Sequence, residues 1–278
     1  MNHKVSIIIA IYNEEKYIDA CIKSLLQQNY KPIEIIIIDD GSVDKTKTIV
    51  TKYPSIHLFS QEHLGTARAR NYGAEKATGS ILIFVDADMK FQGNFIENLI
   101  RPIEDGTTKG TFSKLEYVAN WDKPLSRCWN RNNKPILPEK MRVRQDINEG
   151  DDFRAILKSE FLRVNGFDNI GYTDTWSLAK KLGHKPVNAP GAVYYHYNPE
   201  TYSEVFSSAK WIGKREYKFG RIGNIINIVR NIFLFSFLRG IYKSIRYREW
   251  QFIPFQFVYD FGLCIGSLNK IFNASVIK

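Results

Sequence analysis

Three apolar runs, each followed at once by polar residues, constrain most strongly what this chain can fold into. The runs are VSIIIAI at residues 5–11, IEIIIID at 33–39 and ILIFVD from residue 81. Continuous β-branched runs of this kind are typical of strands that are covered on both faces in a parallel sheet. A shorter strand is expected near residues 57–59.

The segments between these runs have helical patterns. The first carries apolar residues at spacings of three and four, which predicts one buried stripe: Ile18, Cys21, Ile22, Leu25 and Leu26. Asn13 is expected to cap this helix, and Ser42 or Asp44 the next one. An Ala-rich segment at 65–77 predicts a third helix. The resulting βαβαβαβ order predicts a parallel sheet with right-handed crossovers.

Polar clusters follow the predicted strands where parallel α/β sheets bind ligands, at the carboxyl ends. They lie at residues 12–14, 39–42 and 86–88. Asp86 and Asp88 are two residues apart and can therefore face the same way in extended chain. Paired carboxylates suit Mg²⁺ or Mn²⁺, which take further ligands from substrate phosphates. Taken singly, each cluster also fits an ordinary polar turn or helix start.

Four segments in order resemble the signatures of family 2 glycosyltransferases, which have the GT-A fold. They are VSIIIAIYNEEKYIDACIKSLLQQ, EIIIIDDGSVDKT, GTARARNYGAEKATG and ILIFVDAD. The resemblance implies an α/β protein with a Rossmann-like, mostly parallel sheet. It also implies an inverting enzyme that takes a sugar from a UDP or GDP sugar with Mn²⁺ or Mg²⁺.

The same resemblance assigns roles to individual residues. The residues expected to bind the nucleotide sugar are Ala10, Ile11, Tyr12, Asn13, Glu14, Asp40, Arg70, Asp86 and Ala87. Asp88 is expected to be the direct metal ligand, with Asp86 facing the ribose or the metal. His196 matches a position where many family members carry a histidine that reaches the metal or diphosphate, although a lone His beside aromatic residues is often simply packed.

The second half of the chain is expected to serve the acceptor. Residues 165–168 (NGFD) and 172–178 (YTDTWSL) resemble the family's Gly-Phe-Asp segment and its acidic motif. The resemblance names Asp174 as the catalytic base, which takes the proton of the acceptor hydroxyl. Thr173 stands where the family has Glu, and a helix N-cap is the other reading of Asp174. The Gln-x-x-Arg-Trp motif of processive synthases has no clear match, which favours addition of one or a few sugars.

The C-terminal part is basic and aromatic. Residues 197–278 hold 12 Lys and Arg, 5 Asp and Glu, and 18 aromatic residues. We expect a GT-A domain at residues 1–204, with a nucleotide half at 1–92 and an acceptor half at 93–204, followed by a helical tail at 205–278. Such a tail favours peripheral attachment to the inner face of the cell membrane and a lipid-linked or glycan acceptor. An ordinary helical subdomain or an oligomer interface is the alternative.

Other functions are less consistent with the residues. Three widely spaced cysteines among 278 residues indicate neither a disulfide framework nor a zinc site, and favour the cytoplasm. No RNA-binding motif accompanies the basic residues, so no nucleic-acid partner is expected. A nucleotidyltransferase usually begins with a Gly-rich basic loop, which AIYNEEKYI lacks. A catalytically inactive sugar-nucleotide-binding scaffold stays open as a second alternative.

Overall fold

The computed structural model contains two sheets and eleven helices within the part of the chain that it describes. The described residues are 3–132, 140–143, 146–147, 149–150, 152–169, 174–215, 217–218 and 220–272, without the side chains of residues 174 and 175. The strands are β1 Val5–Ile11, β2 Ile33–Asp39, β3 His57–Ser60, β4 Ile81–Val85, β5 Met89–Phe91, β6 Gly110–Phe112, β7 Glu116–Val118, β8 Ala155–Leu157, β9 Val187–Asn188 and β10 Tyr194–His196. The helices are α1 Ile18–Leu26, α2 Thr46–Val50, α3 Thr66–Lys76, α4 Phe95–Glu104, α5 Pro124–Asn132, α6 Lys158–Arg163, α7 Asp174–Leu182, α8 Tyr202–Gly213, α9 Gly220–Arg230, α10 Phe233–Tyr247 and α11 Phe252–Phe272.

The main sheet has seven strands in the order β3-β2-β1-β4-β8-β6-β9. β1 to β4 are parallel, as the repeating pattern predicts, whereas β8 pairs antiparallel with both β4 and β6. The predicted βαβαβαβ order over the first 85 residues is therefore confirmed. A second sheet of three strands, in the order β5-β10-β7, lies beyond the end of β4.

Helices cover both faces of the main sheet because alternate residues of each buried strand point to opposite sides. Ile7 and Ile9 of β1 pack in one core with α1 and α4, and Ile8 packs in the other with α3, α6 and α7. Helix α3 comes very close to β1 at Gly73, where an added Cβ would lie 2.5 Å from a methyl group of Ile8. A glycine at this position therefore allows the helix to pack against the sheet.

The C-terminal helices form a third core with α5. Residues from three helices fill it: Leu125, Cys128, Val205, Ala209, Phe252, Phe255, Tyr259 and Leu263. Among the described residues, no single helix has the length and apolar composition needed to cross a membrane. Helices α9 and α10 meet that criterion only when taken together, and they are bent by 62° with respect to each other.

Two helix-cap predictions are wrong. α2 begins at Thr46 with Lys45 at its N-cap, not Ser42 or Asp44, and Lys45 makes no side-chain capping bond. α1 begins at Ile18 with Tyr17 at its N-cap, and Tyr17 makes no side-chain capping bond. Asn13, the expected cap, adopts a left-handed conformation with φ 56°, and its side chain bonds the loop after β2 instead. Leu26 of the predicted apolar stripe is 38% exposed, since it lies at the end of the helix.

Candidate active site

The polar clusters that follow β1, β2 and β4 meet at one edge of the main sheet. β1 lies between the other two strands, with Ile11 opposite Asp39 of β2 and Ile9 opposite Val85 of β4. The first residues after all three strands therefore share one edge. This convergence, predicted from the parallel order, places Tyr12, Asp40 and Asp86 in one region.

The first loop is tied to the second by hydrogen bonds. The backbone N–H of Asn13 donates to Ser42 Oγ at 3.0 Å, and Asn13 Oδ1 accepts from the N–H of Val43 at 2.9 Å. The N–H of Glu14 donates to Thr46 Oγ1 at 2.7 Å. Because Asn13 and Glu14 are fixed in this way, the segment that follows β1 forms a fixed wall on one side of the site. Ala10 and Ile11, in the last part of β1, form its base.

An aromatic pair borders this wall. Tyr12 is 43% exposed, and its ring stacks on that of His63 with centroids 4.0 Å apart and an interplanar angle of 21°. The His63 ring is also held by Asp40, whose Oδ2 lies 2.8 Å from Nδ1. An exposed aromatic face of this kind suits a flat ring such as a nucleobase.

Asp40 is buried and is used to hold the loop at residues 61–65. Its Oδ1 accepts from the side chain of Gln61 at 2.6 Å and from the N–H of Leu64 at 2.9 Å. Its Oδ2 accepts from the N–H of Gly65 at 3.0 Å. Since Gly65 precedes α3, Asp40 also fixes the start of the helix that carries Arg70.

Asp86 lies between two arginines. Its Oδ1 accepts from Arg70 at 2.6 Å, and its Oδ2 accepts from Arg154 at 3.2 Å. Burial by itself raises the pKa of Asp86, but the charges of Arg70 and Arg154 outweigh it and hold the pKa well below its usual range. Asp86 is therefore an anion whose two oxygens are both engaged. Ala87 points the other way, into the core.

Asp88 faces a histidine across the second sheet. In the antiparallel pair of β5 and β10, His196 lies opposite Met89, and its Nε2 is 3.0 Å from Asp88 Oδ2. Its Nδ1 is 2.9 Å from Glu116 Oε1, on the neighbouring strand β7. Glu116 also pairs with Arg142 at 2.8 Å. These contacts join four side chains in one continuous network: Asp88, His196, Glu116 and Arg142.

Burial and opposing charges shift the pKa values of His196 and Glu116. Burial and the charge of Arg142 both lower the pKa of His196, yet Asp88 and Glu116 on either side outweigh them and raise it. Burial raises the pKa of Glu116, but Arg142 and His196 bring it well below its usual range. Glu116 is therefore an anion at neutral pH, and the two carboxylates on either side of His196 favour its protonated form.

The pKa of Glu14 reflects its burial and the negative charges at this edge of the sheet. Burial, followed by the charges of Asp88, Asp86 and Asp44, raises the pKa of Glu14 from 4.5 to about 8. The negative charges of Asp88, Asp86 and Asp44 therefore add to burial in favouring the protonated form of Glu14.

The donor set fits a divalent metal whose remaining ligands come from a substrate. Asp88 and His196 offer a carboxylate oxygen and an imidazole nitrogen, and Glu116 orients the imidazole from behind, as carboxylates commonly do for metal-binding histidines. Over the described ranges, no group of three or more His, Cys, Asp or Glu side chains could hold a metal. Two protein ligands are consistent with Mg²⁺ or Mn²⁺, which use substrate phosphates and water as well. Both oxygens of Asp86 are already occupied by arginines, so its role at the metal stays a prediction.

Comparison with known proteins identifies the family. The sequence profile described as glycosyl transferase family 2 matches residues 6–159. The chain belongs to this family. An uncharacterized glycosyltransferase of Haemophilus influenzae is 44% identical over 181 residues, which are 61% of this chain and 68% of the relative. A cholesterol galactosyltransferase of Borreliella burgdorferi is 38% identical over 101 residues, which are 35% of this chain and 28% of the relative.

Solved structures of similar shape support the GT-A fold. A mannosyltransferase from Pyrobaculum calidifontis, in complex with GDP-Man and Mn²⁺, matches with a TM-score of 0.60 and 18% identity over 98% of this chain and 88% of the other. The GT-A fold predicted from the sequence motifs is confirmed. Several of the curated relatives are longer, and the match covers 15% to 40% of their length.

For a family 2 glycosyltransferase, the predicted base lies at a helix start. Asp174 is the first residue of α7. Its side chain and the whole of Thr173 lie outside the described part of the structure. The NGFD segment that precedes it is held to α3 through Asn71, which bonds the backbone of Phe167 in both directions. The role of Asp174 stays a prediction.

Four residues of the site were not predicted from the sequence. Arg154 precedes β8 and reaches Asp86, Glu116 lies in β7 behind His196, Arg142 pairs with Glu116, and His63 stacks on Tyr12. None of them belongs to a recognised motif. Arg154 and Glu116 come to the site through strand pairings that join segments 70 and 80 residues apart in sequence.

Proposed function

We propose that the protein is an inverting glycosyltransferase that moves a sugar from a UDP or GDP sugar to a hydroxyl group of an acceptor. The observation that carries this proposal is the meeting of the Tyr12–His63 pair, the Arg-bound Asp86 and the Asp88–His196 pair at one sheet edge. The aromatic pair suits the base, and the acidic end suits a metal diphosphate. Two structurally similar proteins support a nucleotide sugar as donor: the mannosyltransferase in complex with GDP-Man and Mn²⁺, and S. aureus TarS in complex with UDP-GlcNAc, which matches with a TM-score of 0.54 and 18% identity.

In this proposal, each residue at the edge has a separate task. Asp88 and His196 hold Mn²⁺ or Mg²⁺, which would offset the charge that develops on the leaving diphosphate. Glu116 keeps the imidazole of His196 in place, and Arg70 and Arg154 fix Asp86 beside it. Asp174 takes the proton of the acceptor hydroxyl, which is worth roughly 10² to 10⁴ in rate.

The acceptor and the location of the protein belong to the same proposal. Residues 1–204 form the transferase domain, and residues 205–278 hold it on the cytoplasmic face of the membrane. Exposed apolar side chains on α9 and α10 support this attachment, and the cholesterol galactosyltransferase among the relatives acts by its name on a membrane lipid. The acceptor is then a lipid-linked sugar or another membrane-bound glycan.

Calorimetric titration with UDP and with GDP, each with and without Mn²⁺, tests the donor site. One nucleotide is expected to bind in a metal-dependent way, and Asp88→Asn is expected to abolish the metal dependence. Asp105→Asn, an exposed change at the end of α4, is the matched control and leaves binding intact. Failure of both nucleotides to bind under all conditions would contradict the proposed donor.

Transfer of labelled sugar from the donor to a membrane extract tests the proposed transfer reaction and the role of Asp174. Asp174→Asn is expected to keep nucleotide binding and to lower transfer by about 10² or more. Nucleotide binding with no transfer by the unchanged protein would favour the inactive scaffold. Equal transfer by the Asp174→Asn variant would refute its role as the base.

A further inference from the structure

Helix α9 has an inverted polarity. Between the exposed arginines at its two ends, its exposed side chains are apolar, at spacings of three and four residues, with 45% to 66% of their surface accessible: Ile222, Ile225, Ile226 and Val229. The opposite face, which packs toward α11, carries Gly223, Asn224 and Asn227. In a helix on the surface of a water-soluble protein, the apolar stripe faces the core and the polar side chains face water.

Helix α10 repeats the inversion. Its exposed apolar side chains are Phe233, Leu234, Phe235, Phe237, Leu238, Tyr242 and Ile245, of which Phe233 and Ile245 are each 75% exposed. Ser236 and Gly240 are buried on the inner face, and Arg239 and Lys243 are half-buried beside them. The outer apolar surface therefore continues from one helix to the next across the bend between them.

The inward polar groups have partners within the protein. Arg239 donates to Asp260 of α11 at 2.7 Å, and Lys243 donates to Gln256 of the same helix at 3.1 Å. Asn227 of α9 bonds the hydroxyl of Ser267 at 2.9 Å. These groups do not require water at the outer surface, which is the arrangement expected of polar residues in helices surrounded by lipid.

We propose that the outer face of α9 and α10 is inserted into the hydrocarbon of one membrane leaflet, with lipid as its occupant. This inference deepens the proposed membrane attachment and rests on it. With 11 and 15 residues, the two helices are about 16 and 22 Å long, each shorter than the roughly 30 Å hydrocarbon core. Each helix alone is therefore too short to cross, and in this proposal the bent pair lies within a leaflet, deeper than the headgroups.

The charges around this face favour an anionic membrane over a second copy of the chain. Neither helix contains Asp or Glu, while Arg221, Arg230, Arg246 and the adjoining Arg248 are exposed. Such arginines attract anionic headgroups. Two copies that met through this face would bring the same cations together without carboxylates to pair them.

A groove on the same surface suits the lipid chains. It has a volume of about 540 Å³ and is lined mainly by apolar side chains, among them Ile232, Phe233, Phe257 and Phe261. The apolar face is thus interrupted by a recess in which an acyl or isoprenoid chain can be accommodated. A large contiguous exposed apolar surface marks an interaction site.

Partitioning of the full chain onto vesicles of 70% phosphatidylcholine and 30% phosphatidylglycerol tests the insertion. The protein is expected to cosediment and to stay bound after a wash with 1 M NaCl, since hydrocarbon insertion is not screened by salt. The double variant Ile225→Glu/Ile226→Glu is expected to lower the partition coefficient by at least about tenfold. Leu162→Glu, at a residue that is 47% exposed on α6, is the matched control and leaves partitioning unchanged.

Depth is measured with lipids brominated far along the acyl chain. The tryptophan fluorescence of the Ile226→Trp variant is expected to be quenched more strongly than that of the unchanged protein. The Leu162→Trp variant is expected to show no such additional quenching. Equal melting temperatures show that each variant folds. The proposed insertion would be refuted if salt released the protein from the vesicles or if the double variant partitioned as well as the unchanged protein. It would also be refuted if the protein formed a dimer that the double variant dissociated. Metal-dependent nucleotide binding is measured separately, so these outcomes do not depend on the donor site.

Discussion

Replacing Glu14 with Gln is expected to stabilise the metal-free protein increasingly as the pH rises. Glu14 has a pKa of about 8 in the folded protein and 4.5 as its ordinary value, so the unfolded chain ionises first. Between these two values the folded state binds one more proton than the unfolded state, and the free energy of unfolding therefore falls with rising pH. Gln carries no charge, so the variant escapes this loss.

The size of the effect follows from the shift. A change of about 3.5 units corresponds to about 4.8 kcal/mol at 1.36 kcal/mol per unit. Because Glu14 keeps partial contact with solvent, screening is expected to reduce the measurable gain to about 2–3 kcal/mol above pH 8. The corresponding rise in melting temperature is about 4–10 °C.

Thermal unfolding at pH 5 and pH 9, in EDTA, measures the gap between the variant and the unchanged protein. The gap is expected to be less than about 1 kcal/mol at pH 5 and to reach its full size at pH 9. Glu62→Gln, which removes the same charge at an exposed position, is the control. Addition of Mn²⁺ with the nucleotide is expected to shrink the gap, because a cation offsets the charges of Asp86 and Asp88. An equal gap at both pH values would refute the electrostatic account of this site.

Three further changes test other contacts. Asp40→Asn replaces an acceptor oxygen with a donor, so hydrogen exchange at the amides of Leu64 and Gly65 is expected to accelerate at least about tenfold; unchanged protection at both amides would show that they do not depend on the carboxylate. Glu116→Gln is expected to weaken Mn²⁺ binding in the presence of nucleotide by about 10- to 100-fold in calorimetry, and an unaltered affinity would argue against its positioning role. Gly73→Ala is expected to cost about 1–3 kcal/mol in urea unfolding despite the better helix propensity of Ala, and a gain in stability would contradict the close packing of α3 on β1.

Much of the nucleotide-binding half follows from local sequence patterns. Continuous apolar runs identify β1, β2 and β4, and apolar residues at helical spacing identify α1. Since parallel strands joined by right-handed crossovers present their carboxyl ends at one edge, the order of elements also predicts which polar clusters meet. These inferences need only the chain's periodicity and connectivity.

The partners of the site residues depend on long-range pairing. Arg154 reaches Asp86 because β8 runs antiparallel beside β4, and Glu116 stands behind His196 because β7 and β10 are neighbours. The sequence contains no periodic signal for either pairing. Asn13 shows the same limit at shorter range, since its side chain bonds the loop after β2, which lies 30 residues away, rather than the start of α1.

The C-terminal helices show most clearly what the sequence determines and what only the tertiary structure decides. The sequence determines that they are basic, aromatic and apolar, and a spacing of three and four residues determines which side chains share a face. It does not determine which face turns outward, because that depends on the helix against which each one packs. Only the tertiary structure, by pairing Arg239 with Asp260 on the inside, turns the apolar stripe of α10 to the surface.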